Sequence, residues 1–362
     1  MKVDAPLLAT DLGAVPAEAR ALEEIGHDGI FTFEGPHDPF FPLAIAAEHT
    51  SHVELATAIA IALPRSPAHL AQLAHDLQLF SKGRFVLGLG SQVRAHVERR
   101  FSATWERPIA RMREIVLATR AIWRCWNEDA KLDFQGEFYR HTLMPPLFKP
   151  EPSPWGPPRI VLAGVGRPMT RMAAEVADGL FVHPMNSPAF LSGTTLPAID
   201  EGLARAGRKP SDFEVACQAL VVTGYTAEEM RRAEETTRMQ LAFYGSTPSY
   251  RCVLEAHGWG GMQEELNRLV REGRWLDMGA VVDDRVLDAF AVRCEPDEVP
   301  AALAARYAGL VDRIAPICHA RPEANHPAEW AGVVAQVRAL PTRGASRPES
   351  RNAERRGRGA AP

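Results

Sequence analysis

Short apolar, β-branched runs alternate along the chain with longer segments whose apolar positions recur at helical spacing, the pattern of βα units around a parallel sheet. Strand-like runs fall at 3–8, 29–33, 53–60, 85–89, 159–162, 179–183, 213–223 and 289–293. Helical segments fall at 16–25, 42–49, 67–80, 108–126, 169–177, 198–206, 227–244 and 296–308. Several of these open on proline, whose missing N–H is harmless in a first turn. Eight strands each followed by a helix, with no linker-like stretch between the halves, predict one α/β domain over residues 1–340, a (β/α)8 TIM barrel. Two regions break the rhythm. The Pro-dense stretch 132–158 reads as an insertion after strand 4, and 244–288, containing Gly258-Trp259-Gly260-Gly261, as an insertion before strand 8. Excursions at the C-terminal face of a barrel cover its active site, so loops around Trp105, Trp155, Phe243, Tyr244 and Trp259 are expected to build the pocket.

Composition narrows the class. The chain has 362 residues, 46% hydrophobic and 24% charged, so a core of ordinary size is available and bulk disorder is excluded. A net charge of −4 supplies no cationic field to draw nucleic acid or anionic lipid. The exception is local: residues 341–362 carry six Arg among Gly, Ala, Ser and Pro, and read as a disordered tail. Five cysteines form no C-x-x-C pair, which points to a reducing compartment. With no apolar run long enough for a signal peptide or a membrane span, the expected location is cytoplasmic and the expected partner a small molecule, with a homodimer allowed.

Reactive residue types gather where the strands end. Strand two runs into Glu34, His37 and Asp38, three titratable groups in five residues, suited to proton transfer or to hydrogen bonding a reactive cofactor atom. Gly88-Leu89-Gly90 lacks the third glycine of a dinucleotide fingerprint, because Val93 stands there. Gly164-Val165-Gly166-Arg167-Pro168 opens a helix after a strand, where free N–H groups could hold a phosphate with Arg167 as counter-charge; an empty glycine turn would look the same. No spacing of His, Cys, Asp or Glu suggests a metal, and no Gly-x-Ser-x-Gly elbow suggests a serine hydrolase.

Four stretches bear a family likeness: Leu55-Ala56-Thr57-Ala58-Ile59, Pro64-Arg65-Ser66-Pro67, Ser81-Lys82-Gly83-Arg84-Phe85-Val86-Leu87-Gly88-Leu89-Gly90, and Glu175-Val176-Ala177-Asp178-Gly179. With them the chain resembles the luciferase-like monooxygenase superfamily, and within it the deazaflavin (coenzyme F420)-dependent oxidoreductases. The resemblance implies a barrel that holds F420, or alternatively FMN, at its C-terminal mouth and transfers a hydride to or from a small organic substrate. An FMN monooxygenase using oxygen and a non-catalytic ligand-binding barrel are the rival readings. A non-prolyl cis peptide would fall at Ala58-Ile59. The implied cofactor contacts are Thr57, Ala58, Ile59, Gly88, Gly90, Ser91, Gln92, Ala163, Gly164, Val165, Gly166, Arg167 and His183, with Glu34 and His37 as catalytic residues. Related enzymes often carry Asp-His at the end of strand two, whereas Glu34-Gly35 stands here and the imidazole arrives at His37. Only five of the 41 basic residues are Lys, a bias of GC-rich genomes in which deazaflavin users are common.

Overall fold

The computed structural model describes residues 1–344. Eight parallel strands close a barrel: β1 Lys2–Pro6, β2 Gly29–Thr32, β3 Glu54–Thr57, β4 Phe85–Gly90, β5 Arg159–Gly164, β6 Gly179–Val182, β7 Glu214–Val222 and β8 Arg313–Cys318. Closure comes from β8, which lies between β1 (Lys2 opposite Arg313) and β7 (Ala216 opposite Arg313). Seven of the eight expected strands match. The eighth does not: Ala291–Arg293 is a strand, but it pairs only with the last three residues of β7, outside the closed ring. Residues 313–318 take its place. A charged first residue and Pro316, which cannot donate to a ladder, disguise that run in the sequence. The stretch 132–158 lies between β4 and β5 and contains a two-stranded ribbon, Phe134–Gln135 with Arg140–His141.

Helices cover the outside: α1 Val15–Ile25, α2 Phe40–His49, α3 Pro67–Phe80, α4 Pro108–Glu128, α5 Arg167–Val176, α6 Leu196–Arg205, α7 Ala227–Gly245, α8 Gly260–Arg271, α9 Val299–Tyr307 and α10 Pro327–Arg338. Their ends follow local chemistry. Ser66 caps α3 by accepting from His69 N, with Pro67 in the first turn. Thr226 and Glu229 form a capping box on α7. Gly26 ends α1 at φ 103°, a conformation that a side chain disfavours.

The barrel interior is layered. At its N-terminal end Arg313 Nε meets Asp4 Oδ2 at 2.6 Å and its Nη1 meets Glu54 Oε2 at 2.5 Å and Glu214 Oε2 at 3.3 Å, while Arg159 bonds the same two glutamates. Above this charged floor Phe31, Ala58 and Ala315 pack with Phe181 and Ile317. The expected tail boundary at residue 341 is too early. Arg343 is buried and donates to the carbonyls of Pro210 and Phe213, each at 3.0 Å, and Gly309 N donates to Pro341 O. The rest of that expected tail, 345–362, lies outside the described residues.

Candidate active site

Strands β2 to β4 build a shelf at the C-terminal mouth. Thr57 ends β3 with its hydroxyl donating to Gly88 O at 2.8 Å and accepting from Gly88 N at 2.9 Å. A Cβ on Gly88 would lie 1.7 Å from Thr57 O, so glycine is what lets β3 and β4 approach there. Thr57 and Gly88, both expected at the cofactor, are engaged with each other in the packing of β3 against β4. The next peptide, Ala58-Ile59, is cis, as the family likeness implies. The chain then resumes pairing with β4 at Ala60–Ile61, and Gly90 leaves room for Ile59, whose side chain lies 2.8 Å from where a Cβ would stand.

Glu34 fastens this shelf. Its N–H donates to Ile59 O at 3.1 Å, and its buried carboxylate accepts from Ile61 N at 2.7 Å and from Arg65 Nη1 at 2.6 Å. Arg65 also donates to Ile61 O at 2.8 Å and to Asp38 Oδ2 at 2.9 Å, and lies over the Phe40 ring. Both acidic residues of the strand-two loop are thereby tied to one guanidinium. His37 is exposed, with no hydrogen-bond partner among the described residues. Sequence reading quoted Arg65 only as part of a motif; its place between two acids 31 and 27 residues away was not legible.

The glycine loops take two forms. Ser91 Oγ donates to Gln92 O, and Gln92, at φ 60°, accepts from Val93 N with its side chain, which holds the turn leaving β4. Ala163 and Gly164 end β5 and lead through Val165 to Gly166, the N-cap of α5, and no side chain caps this helix. Pro168 lacks an N–H, so the N–H groups of Arg167 and Met169 are the donors left at that end. A Cβ on Gly166 would touch nothing nearer than 3.8 Å, so space is open beside it. The Arg167 guanidinium, however, is held by Glu201 on α6 at 2.8 Å, together with Arg171 and Arg205, and is half exposed. Its charge is thus shared with Glu201 in this structure.

His183 follows β6 on another part of the mouth. Its Nδ1 accepts from Met185 N at 3.1 Å, which leaves the proton on Nε2. The ring sits 4.6 Å from Tyr244 and 4.4 Å from Tyr250, and burial pushes its pKa down to about 3, so it is neutral. Gln240 joins Tyr244 OH (3.0 Å) to His319 Nε2 (2.9 Å), the residue after β8. Tyr250, Gln240 and His319 were missed in the sequence; His319 could be found only by recognising β8. Of the expected pocket aromatics, Tyr244 is in this group. Trp259 instead stacks on His257, and Trp155 packs against Gly83 below β4.

The chain matches the luciferase-like monooxygenase family over residues 2–313. It belongs to that family. An uncharacterized Mycobacterium tuberculosis protein is 52% identical over 299 residues, covering 83% of this chain and 88% of its relative. The 5,10-methylenetetrahydromethanopterin reductase of Archaeoglobus fulgidus is 30% identical over 264 residues, covering 71% and 74%. Among solved structures, the coenzyme F420-dependent tetrahydromethanopterin reductase of Methanopyrus kandleri superimposes with a TM-score of 0.72 at 18% identity, over 95% of this chain and 99% of its own. Enzymes of the family use F420 or FMN. Among the described residues no helix is long and apolar enough to cross a membrane.

Proposed function

We propose that this family member is an F420-dependent oxidoreductase acting on a small organic substrate at the C-terminal mouth. The observation that carries the reading is the Ala58–Ile59 shelf, pinned by Glu34 and Arg65 and accompanied by the uncapped start of α5. These residues fit a flavin-shaped group: an apolar support for its ring and free N–H donors for its phosphate. When bound, F420 supplies or accepts the hydride. A Mycobacterium tuberculosis relative named as a putative coenzyme F420-dependent oxidoreductase, 27% identical over 293 residues, supports the choice over FMN. Glu34 positions the shelf through Ile59 and Ile61, Gly164 to Gly166 receive the phosphate, and exposed His37 exchanges the proton that accompanies hydride transfer. The test is titration of the purified chain with F420 and with FMN, followed by coenzyme fluorescence. Tight F420 binding and weak FMN binding are expected. The reverse favours an oxygen-using monooxygenase, and failure to bind either favours a non-catalytic barrel.

A further inference from the structure

Strands β3 and β7 stand four places apart in a closed ring of eight, so the shelf and the excursion that follows β7 lie on opposite sides of the mouth. That far side is built from His183 after β6, His319 after β8, and Gln240, Tyr244 and Tyr250 from α7 and the turn beyond it. We propose that His183, Tyr244 and Tyr250 form the subsite for the oxygen of an uncharged carbonyl substrate, a ketone or aldehyde, and that this side of the mouth disfavours anions. The inference rests on the oxidoreductase reading above and names its substrate class.

Hydrogen-bond direction supplies the first argument. The Met185 N–H occupies His183 Nδ1, so Nε2–H is left to donate. His319 Nε2 and Gln240 Oε1 lie 2.9 Å apart, and with His319 as donor the Gln240 amide is oriented to give its N–H to Tyr244 OH. A phenol that accepts from Gln240 keeps its own proton for another acceptor. The Tyr250 ring lies 6.4 Å from that of Tyr244, with His183 against both. Three rings that each carry a neutral donor are therefore packed within 6.4 Å of one another, and a carbonyl oxygen, with two lone pairs and no proton, is the complementary partner.

Charge supplies the second argument. Burial lowers His183 to about 3 and raises Tyr250 to about 12, and desolvation alone accounts for the depressed His319. Among the described residues no cation perturbs His183, His319, Tyr244 or Tyr250. A carboxylate or phosphate would thus lose its hydration without meeting a counter-charge, whereas a carbonyl exchanges water for neutral donors at small cost. A neutral imidazole that polarises a carbonyl by donation is an established catalytic device.

The experiment titrates cyclohexanone and cyclohexanecarboxylate, matched in ring size, into the F420-saturated full chain by calorimetry. Cyclohexanone is expected to bind at least about tenfold more tightly, the scale of one hydrogen bond or more. Tyr250→Phe and His183→Phe keep the ring packing and remove a donor. Each should weaken cyclohexanone by about five- to tenfold, and in Tyr250→Phe F420 affinity should stay within about threefold. No binding of cyclohexanone, an equal or better carboxylate, or variants indistinguishable from wild type would overturn the subsite. So would a parallel loss of F420 affinity, which would put His183 against the coenzyme. If the wild-type chain binds no F420, the oxidoreductase reading fails instead, and the ketone-to-carboxylate preference of the chain alone still decides the subsite.

Discussion

Removing either partner of the Glu34–Arg65 pair should have unequal consequences, and the inequality can be worked from the contacts. The Glu34 side chain is 6% exposed and Arg65 17% exposed. Arg65→Ala strips the buried carboxylate of its one counter-ion among the described residues and leaves it the Ile61 N–H. Breaking a buried pair in this way costs about 3–5 kcal/mol, and the partial exposure of Arg65 places the expectation near the lower end, about 3 kcal/mol. Glu34→Ala leaves Arg65 with Asp38 and the Ile61 carbonyl, so the loss is that of charge-assisted bonds, about 2 kcal/mol. In the double variant the buried carboxylate is gone and only the more exposed Asp38 loses its counter-ion, so a total near 3 kcal/mol is expected, a coupling of about 2 kcal/mol. Urea unfolding of the four proteins measures this directly, provided the slope with denaturant is unchanged. Coupling below about 0.5 kcal/mol, within the scatter of independent sites, would refute the pair as the clamp on the shelf. The same variants report on function. If Glu34 and Arg65 act together on Ile59 and Ile61, F420 affinity should fall by similar factors in both single variants and no further in the double.

Other expectations follow from neighbouring contacts. Gly166→Asp meets no steric obstacle but sets a carboxylate beside the proposed phosphate, so F420 affinity should fall at least about tenfold with the melting temperature unchanged; equal affinity would remove the loop from the site. Gly88→Ala would drive a Cβ against the Thr57 carbonyl, a backbone atom that cannot step aside, and should abolish soluble folded protein, as gel filtration and circular dichroism would reveal. On the barrel floor, burial pushes Asp4 up to about 6, because the one guanidinium beside it is shared with Glu54 and Glu214, whereas Arg313 and Arg159 hold Glu54 down to about 2. The folded state thus keeps the Asp4 proton longer than the unfolded chain, and that group's contribution improves as pH falls from about 6 toward 4. The Glu54 contribution is present above its ordinary pKa and is lost as pH falls toward 2. Asp4→Asn should flatten the stability profile between pH 4 and 6, and parallel wild-type and variant profiles would reject that assignment.

Periodicity alone located seven of the eight barrel strands, because each is an apolar run with helix-period sequence on either side, and a strand buried on both faces must read that way. The cis peptide at Ala58-Ile59 was expected only through the family resemblance, since nothing in the local apolar pattern marks it. What failed was long-range. Arg313–Cys318 closes the barrel because Arg313 finds Asp4, Glu54 and Glu214 inside it, partners scattered across three other strands, and no local feature of that proline-containing run announces them. The ion pairs of Glu34 and Arg167 likewise come from residues distant in the chain, the Arg65 guanidinium for the first and Glu201 on the next helix for the second. The His183, Tyr244, Tyr250, Gln240 and His319 group exists only once β6, β8 and the excursion between β7 and β8 are brought to one side of the mouth. Burial, which sets the protonation of that group, depends on everything packed around it, and so belongs to the tertiary structure alone.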